Sequence, residues 1–230
     1  MDEFSHKFEH EIPALHAFLM QNLKSFQSQV GFRSVWEDFE DRIIDDTQKF
    51  LHNVFQELKP LDLIKAKSKS VFPELKVTYK GNIYAIDVKS GEDVMDPWYD
   101  MGRLDTFEEK HLDKYRNEYY ITVKWHRQST GITIVDLYIE PFFKTVGLHS
   151  GSGGVKYRPY DGKLRPKSWD DFANGKVYWN TIDEFREGLK ISRMYRRMEM
   201  IDEWYRKMSV GEKEALWERL DEIDDQPGFL

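Results

Sequence analysis

Three residues with side chains suited to hydrolytic chemistry lie near the middle of the chain. Glu74 follows Pro73, and after twelve further residues comes Asp87-Val88-Lys89. Two carboxylates about 4 Å apart repel each other by roughly 4 kcal/mol at an effective dielectric near 20, and a bound divalent cation removes that cost. Mg²⁺ is a hard cation that prefers such oxygen ligands. We therefore expect Glu74 and Asp87 to hold Mg²⁺, and Lys89 to orient or deprotonate an attacking water.

The spacing of these residues has an alternative explanation. An acid followed two residues later by lysine is a common pattern in a chain with 33% charged residues. A solvated strand end would show the same pattern without any chemistry, so the motif needs support from the elements that carry it.

The sequence around the acids predicts a β-hairpin. Residues 75–79 alternate between apolar and polar side chains, and the apolar, β-branched run 83–88 follows. Gly81-Asn82 between them is a suitable two-residue turn, because glycine takes the positive φ of the first central position without steric cost. The acids would then lie at the open end of the hairpin.

The length of the turn decides where the acids lie. With Gly81-Asn82 as the turn, Glu74 faces Lys89 and Asp87 is the diagonal neighbour of Glu74 on the same face, since side chains alternate with period two. A three-residue turn at 80–82 would instead place Glu74 opposite Val88 and separate the carboxylates. The two-residue turn is our expectation.

Composition limits the class of protein. At 230 residues the chain suits one large domain, 1–230, and 40% hydrophobic residues are enough for a sizeable core. The absence of cysteine excludes disulfides and thiolate metal sites. No apolar run is long enough to span a membrane, and Met1-Asp-Glu-Phe4 lacks the basic and apolar regions of a signal peptide. We expect a cytoplasmic protein without membrane association.

Two helices are predicted ahead of the hairpin. Residues 3–30 carry apolar side chains at helical spacing, with Pro13 marking a break or a new first turn. Ser34 is a suitable N-cap for a second helix that continues to about Leu58. We expect the helical N-terminal segment, residues 1–34, to contribute some of its apolar surface to a homodimer.

The second predicted helix begins with several acidic residues, Glu37, Glu40 and Asp41. Acids in the first turns of a helix are favoured by its dipole, which explains them without any chemistry. The functional alternative is that one of these carboxylates joins the metal site.

A short basic segment leads into the first acid of the motif. It consists of Lys67, Ser68, Lys69 and Ser70. Ammonium and hydroxyl groups beside a metal site suit the positioning of a phosphate, so we expect this segment to bind DNA. A solvated loop has the same composition.

The rest of the predicted sheet comes from residues 119–125 and 132–139, both rich in β-branched and aromatic residues. A loop and a helix over 98–118 separate the first of them from the hairpin, so 119–125 can run parallel to 83–89. Strands with helices before and between them predict an α/β or α+β fold, with a mixed β-sheet core flanked by helices.

Positive charge is concentrated in residues 144–167. This segment has six basic residues and one acidic residue in a chain of net charge −7. It also carries glycines that let a backbone approach a ligand closely, and we expect it to enter a DNA groove. The residues expected to contact DNA here are Gly151, Ser152, Gly153, Gly154, Lys156 and Arg158. A mobile surface loop is the alternative; a P-loop is excluded because no Gly-Lys-Ser/Thr opens a helix.

Together these motifs resemble a known family. Pro73-Glu74 with Asp87-Val88-Lys89 is similar to the signature of the PD-(D/E)XK nucleases. Gly151-Ser-Gly153, the segment 171–176 (Asp-Phe-Ala-Asn-Gly-Lys) and 183–185 (Asp-Glu-Phe) resemble the C-terminal half of type II restriction endonucleases of the EcoRV type. The patches keep their order from about 35 to 207.

The resemblance implies a restriction-endonuclease-like fold with a recognition-loop region at 144–180. It implies that Glu74 and Asp87 bind Mg²⁺ and that Lys89 serves the hydrolytic water. Trp36-Glu37 followed by Ile43-Ile44 resembles the helix that carries a third active-site glutamate in that family, which favours Glu37 over Glu40.

Two departures limit what the resemblance implies. Glu74 stands where the family has aspartate, and Gly154-Val155-Lys156 replaces polar residues after the recognition glycines. The target sequence is therefore not carried over.

The function expected from the sequence is a Mg²⁺-dependent type II restriction endonuclease. It would act as a homodimer on a palindromic site in double-stranded DNA and leave 5′-phosphate ends. The alternatives are a repair or junction-resolving nuclease of the same fold, and a DNA-binding protein without catalytic activity.

Overall fold

The computed structural model describes residues 2–23, 32–59, 62–66, 72–129 and 131–224, and of these the side chains of 32–38, 109 and 220–224 lie outside the description. The helices are α1 (Glu3–Leu23), α2 (Phe32–Val54), α3 (Phe142–Thr145), α4 (Trp169–Ala173), α5 (Ile182–Lys207) and α6 (Val210–Asp224). The strands are β1 (Leu63–Lys65), β2 (Leu75–Tyr79), β3 (Asn82–Glu92), β4 (Asn117–Gln128) and β5 (Gly131–Pro141).

The five strands form one mixed sheet in the order β1-β2-β3-β4-β5. All neighbouring pairs are antiparallel except β3 and β4, which are parallel. The predicted mixed sheet flanked by helices is confirmed, as is the parallel pairing. The connection from β3 to β4 contains a 3₁₀ turn at Leu104–Thr106 and a short π-helix at Glu108–Leu112 where a longer helix was expected.

The turn between β2 and β3 differs from the prediction. Tyr79 pairs with Asn82, so the two turn residues are Lys80 and Gly81 instead of Gly81 and Asn82. Their φ angles are +48° and +81°, and positive φ at both central positions is the type I′ conformation that matches the twist of the strands. The predicted register is therefore wrong by two residues. A two-residue shift leaves every side chain on its expected face.

Helices α1 and α2 cover one face of the sheet. Side chains of both helices pack into one core with β2, β3, β4 and β5, and the ring centroids of Phe4 and Tyr84 are 4.3 Å apart. Helix α1 continues through Pro13 without a break. The apolar stripe of α1 lies in the core of its own chain, which leaves little of it for the predicted dimer.

The segment 144–167 packs on the other face and is ordered by short β-bridges. These join Val146 to Pro166, Leu148 to Val155 and Tyr157 to Leu164. A second apolar core contains Val155 and Leu164 together with Phe185 and Leu189 of α5. The alternative of a mobile surface loop is therefore wrong.

Helix α5 begins inside the molecule and ends outside it. Thr181 caps it by accepting a hydrogen bond from the Glu184 N–H at 3.1 Å. Buried side chains occur only in its first eleven residues. Further along, the apolar residues are exposed, among them Met194, Met198, Ile201 and Trp204. None of the described helices is long and apolar enough to cross a membrane.

Candidate active site

Strands β2 and β3 bring Glu74 and Asp87 together. Continuing the register beyond the pair Leu75–Ile86 sets Glu74 opposite Asp87. The backbone N–H of Glu74 donates to Asp87 Oδ1 at 3.3 Å, and the N–H of Val88 donates to Glu74 Oε2 at 2.9 Å. The carboxyl of Glu74 is thus tied to the strand that carries Asp87.

Asp87 and Lys89 form an ion pair at this position. Asp87 is only 2% exposed, and its Oδ2 contacts Lys89 Nζ. Among the described residues Oδ2 has no hydrogen-bond partner of good geometry, so the ion pair is its main compensation for burial. The structure therefore brings together Glu74, Asp87 and Lys89, three of the four residues that the sequence predicted as catalytic.

Burial and like charge give Glu74 an unusual protonation state. Burial, followed by repulsion from Asp87, raises the pKa of Glu74 to about 8, although Lys89 and the Val88 N–H act in the opposite direction. In the metal-free protein Glu74 is therefore largely protonated at neutral pH. The pKa of Lys89 is raised: burial lowers it, but attraction by Asp87, Glu74 and Glu40 is stronger in sum. Lys89 thus carries its proton.

A carboxylate of α2 also belongs to this group. The charge of Glu40 acts on both Glu74 and Lys89 and raises the pKa of each. The side chain of Glu37, the residue chosen from the sequence, lies outside the described residues. The sequence could have indicated Glu40 as the carboxylate that faces the site. Glu40 lies three and four residues before the buried Ile43 and Ile44, and therefore on the same face of the helix.

The parallel partner strand supplies residues that the sequence analysis missed. Tyr120 lies beside Asp87 and Thr122 beside Lys89 in the register of β3 and β4. Lys89 Nζ is 5.6 Å from the centroid of the Tyr120 ring, and Thr122 shares a hydrogen bond of 3.0 Å with the hydroxyl of Tyr99. Only the pairing register of β3 with β4, which the sequence does not give, would have identified them.

These residues fit a hard divalent cation. No group of three or more metal-ligating side chains occurs in the part of the chain that the structure describes. Glu74 and Asp87 nevertheless offer carboxylate oxygens, among them Asp87 Oδ2, which is paired with Lys89, and the raised pKa of Glu74 reflects in part a repulsion that a cation would relieve. Two carboxylates with water in the remaining positions is a common arrangement for Mg²⁺.

The residues predicted to contact DNA divide into two groups. Lys67, Ser68, Lys69 and Ser70 lie outside the described residues. Gly151, Ser152, Gly153, Gly154, Lys156 and Arg158 lie in the ordered segment 144–167.

Gly154 has a packing explanation. A Cβ at this position would lie 2.3 Å from Ser192 Oγ and 2.7 Å from the carbonyl oxygen of Gly188, both on α5. Gly153, in contrast, has a φ of +70° and open space around it. The close approach to α5 explains the glycine at position 154 without any ligand. Gly153 is exposed and is therefore accessible to a ligand.

Comparisons with known proteins identify no family. No protein-family model matches the sequence, and no curated protein matches it. Among solved structures the chain is similar to the NlaIV restriction endonuclease, with a TM-score of 0.48 and 13% identity over 86% of this chain and 92% of that one.

Proposed function

We propose that this protein is a metal-dependent nuclease that hydrolyses phosphodiester bonds of double-stranded DNA. The observation that supports it best is the cluster at the open end of the β2–β3 hairpin. There Glu74 is hydrogen-bonded to the strand of Asp87, and Asp87 is paired with Lys89. A partly buried glutamate with a raised pKa, next to a buried aspartate and a lysine, is costly to the fold and is typical of a functional site.

Each residue of the cluster has a role in this proposal. Glu74 and Asp87 would hold Mg²⁺, which when bound would polarise the scissile phosphate and offset the charge that develops on it. Lys89 is protonated in the resting site, so its ammonium donates hydrogen bonds. It would position the attacking water and stabilise negative charge on the phosphate oxygens.

We propose Glu40, in place of Glu37, as the third carboxylate. The charge of Glu40 raises the pKa of both Glu74 and Lys89. Helix α2 is anchored by the buried Ile43 and Ile44, so a side chain one turn earlier is held towards the sheet. Its carboxylate would accept hydrogen bonds from water in the site.

More specifically, we propose that the protein is a cytoplasmic type II restriction endonuclease. It would act as a homodimer on a palindromic site and leave 5′-phosphate ends. The order of the sequence patches from 35 to 207 supports this assignment. A twofold dimer would place one active site on each strand of a twofold DNA site. The basic segment 144–167 would contact the bases and phosphates.

The first test is digestion of unmethylated phage DNA with Mg²⁺ and with EDTA. We expect discrete bands with Mg²⁺, none with EDTA, and a rate lower by about 10²-fold or more for Lys89→Ala. Lys7→Ala is the matched control, because Lys7 lies on α1, outside the cluster, and its partly exposed side chain pairs with Glu57. Glu40→Gln is expected to lower the rate as well.

Other results would redirect the assignment. Bands that persist in Lys89→Ala would overturn the active site. Cleavage confined to branched DNA would favour a junction-resolving nuclease. DNA binding without cleavage under any metal would favour a binding protein.

A further inference from the structure

A second charged cluster, separate from the active site, lies on the hairpin 157–164 and its neighbours. Three basic side chains converge on the carboxylate of Asp100. Arg165 Nη1 is 2.7 Å and Arg158 Nη2 is 3.6 Å from Asp100 Oδ1, and Lys163 Nζ contacts Oδ2. We call Arg158, Lys163 and Arg165 the cation cluster.

Arg165 is the buried member of the cation cluster. It is 1% exposed, and its Nη1 also donates to the carbonyl oxygens of Trp98 and Tyr99 at 3.2 and 3.0 Å. Its Nε and Nη2 are buried and have no hydrogen-bond partner among the described residues. Arg165 therefore depends on the acceptors at its Nη1, and an oxygen-rich anion from solvent could replace Asp100 at that atom.

The backbone fixes the cluster in place. The N–H of Arg158 donates to the carbonyl oxygen of Lys163 at 2.8 Å, and Lys163 also forms a bridge with Arg103. Arg158 is held further by Asp161, which accepts from its Nε at 2.8 Å. The cations are therefore positioned before any ligand arrives, which reduces the entropy that binding costs.

The cluster faces solvent between two exposed aromatic rings. Asp100 has a side chain 40% exposed, so a ligand can reach its carboxylate. Trp98 is 59% exposed with its ring centroid 4.2 Å from the Arg165 guanidinium, and Tyr160 is 77% exposed and 4.5 Å from that of Arg158. Exposed aromatics interleaved with arginine are typical of surfaces that bind nucleic acid.

We propose that the cation cluster is a binding site for a backbone phosphate of DNA, and that the Asp100 carboxylate occupies it until DNA binds. Asp100 and a phosphodiester each carry one negative charge and accept hydrogen bonds through oxygen, so one replaces the other without a change in the charge of the site. With Asp161 counted, the cluster holds three cations and two acids. This inference rests on the proposed action on DNA.

The test is Asp100→Asn, which keeps the shape of the side chain and removes its charge. Binding of a labelled duplex of mixed sequence is measured by fluorescence anisotropy in EDTA over a range of salt concentrations. We expect binding about tenfold tighter than wild type and a salt dependence steeper by roughly one phosphate contact. Asp113→Asn is the matched control, since Asp113 is exposed and lies 3.9 Å from Arg186 outside the cluster; it should change binding less than about twofold.

A purely structural role for Asp100 gives a different result. Asp100→Asn would then lower the melting temperature because Arg165 loses its counterion, and DNA binding would not improve. Melting is therefore also measured with inorganic phosphate and with chloride at equal ionic strength. We expect phosphate to stabilise the variant more than wild type. Stabilisation by phosphate without tighter DNA binding would overturn the assignment to DNA, and no response in either assay would overturn the site.

Lys163→Gln keeps the inference testable if the first variant does not fold. Its side chain is partly exposed. We expect weaker DNA binding and a shallower salt dependence, and unchanged binding would count against the proposal. Cleavage by wild type separates the two hypotheses: a wild type that cuts DNA while both variants bind normally defeats only the phosphate site, whereas a wild type that neither binds nor cuts defeats the proposed function.

Discussion

Glu74 is a carboxyl group whose ionisation the fold opposes. Burial and Asp87 raise its pKa to about 8 from an ordinary value of 4.5. Between these two pH values the folded protein keeps a proton that the unfolded chain has released. The contribution of Glu74 to stability in the absence of metal is therefore fully present at or below pH 4.5, is lost as the pH rises towards 8, and is constant above it.

Replacing this carboxyl should reverse that loss. We expect Glu74→Gln to be more stable than wild type by several kcal/mol at pH 9 and to differ little at pH 4.5, because glutamine has no charge to bury. The free energy of unfolding in urea with EDTA, measured at several pH values, tests this. The control is Glu57→Gln, because the pKa of the exposed Glu57 is lowered by hydrogen bonds from its own backbone N–H and Tyr79. A Glu74→Gln advantage that does not grow with pH would contradict the assigned protonation state.

At the residue scale the sequence was informative about chemistry and less so about geometry. Alternation along two strands was enough to place Glu74, Asp87 and Lys89 on one face. Glu74 lies directly across from Asp87 only because Lys80 adopts a positive φ in the turn. Lysine rarely takes this conformation, so the sequence does not predict it. The proximity of Glu40 depends on how α2 packs on the sheet.

At the scale of elements, the contact between the segment 144–167 and α5 controls the position of the predicted recognition loop. The Ser192 hydroxyl donates to the carbonyl oxygen of Val155 at 2.9 Å, beside the close approach of Gly154 to Gly188. Strands and long helices were predictable because their signals are local. The order of 144–167 was not, since its bridges join residues distant along the chain and its core partners lie on α5.

Gly154→Ala tests this contact. A methyl group would overlap Ser192 Oγ and the Gly188 carbonyl oxygen, so we expect a loss of about 1–3 kcal/mol in stability and weaker DNA binding. Gly211→Ala is the control, because nothing lies within 4 Å of its added Cβ and alanine favours the helix; it should be neutral or stabilising by up to about 1 kcal/mol. Unfolding in urea measures both. Equal stability of the two variants would show that α5 does not constrain the segment.

At the scale of the molecule, the proposed homodimer needs an apolar surface that the chain does not already bury. Helix α1 has little left, but α5 exposes Ile191, Met194, Met198 and Ile201. Their spacing of three, four and three residues is that of a coiled-coil seam. A second copy of α5 has the same spacing and can pack against it.

Sedimentation equilibrium tests this arrangement. We expect wild type to have the mass of a dimer and the double variant Met198→Lys, Ile201→Lys to have that of a monomer. The control is Val94→Lys, Met95→Lys, which charges two apolar residues that are equally exposed elsewhere. A monomeric wild type would contradict the homodimer, and a dimer that persists in the α5 variant would place the interface on another surface.

If the cation cluster binds a DNA phosphate as proposed, the carboxylate of Asp100 among its three cations would affect how the protein searches for its target. DNA that enters the cation cluster would have to displace Asp100, so random DNA would be held less firmly than the basic residues alone would hold it. The time spent on each non-target site would be shorter, and the protein would sample more of a long DNA molecule in a given time. Removing the charge of Asp100 would then raise the affinity for DNA and slow the search for the target site.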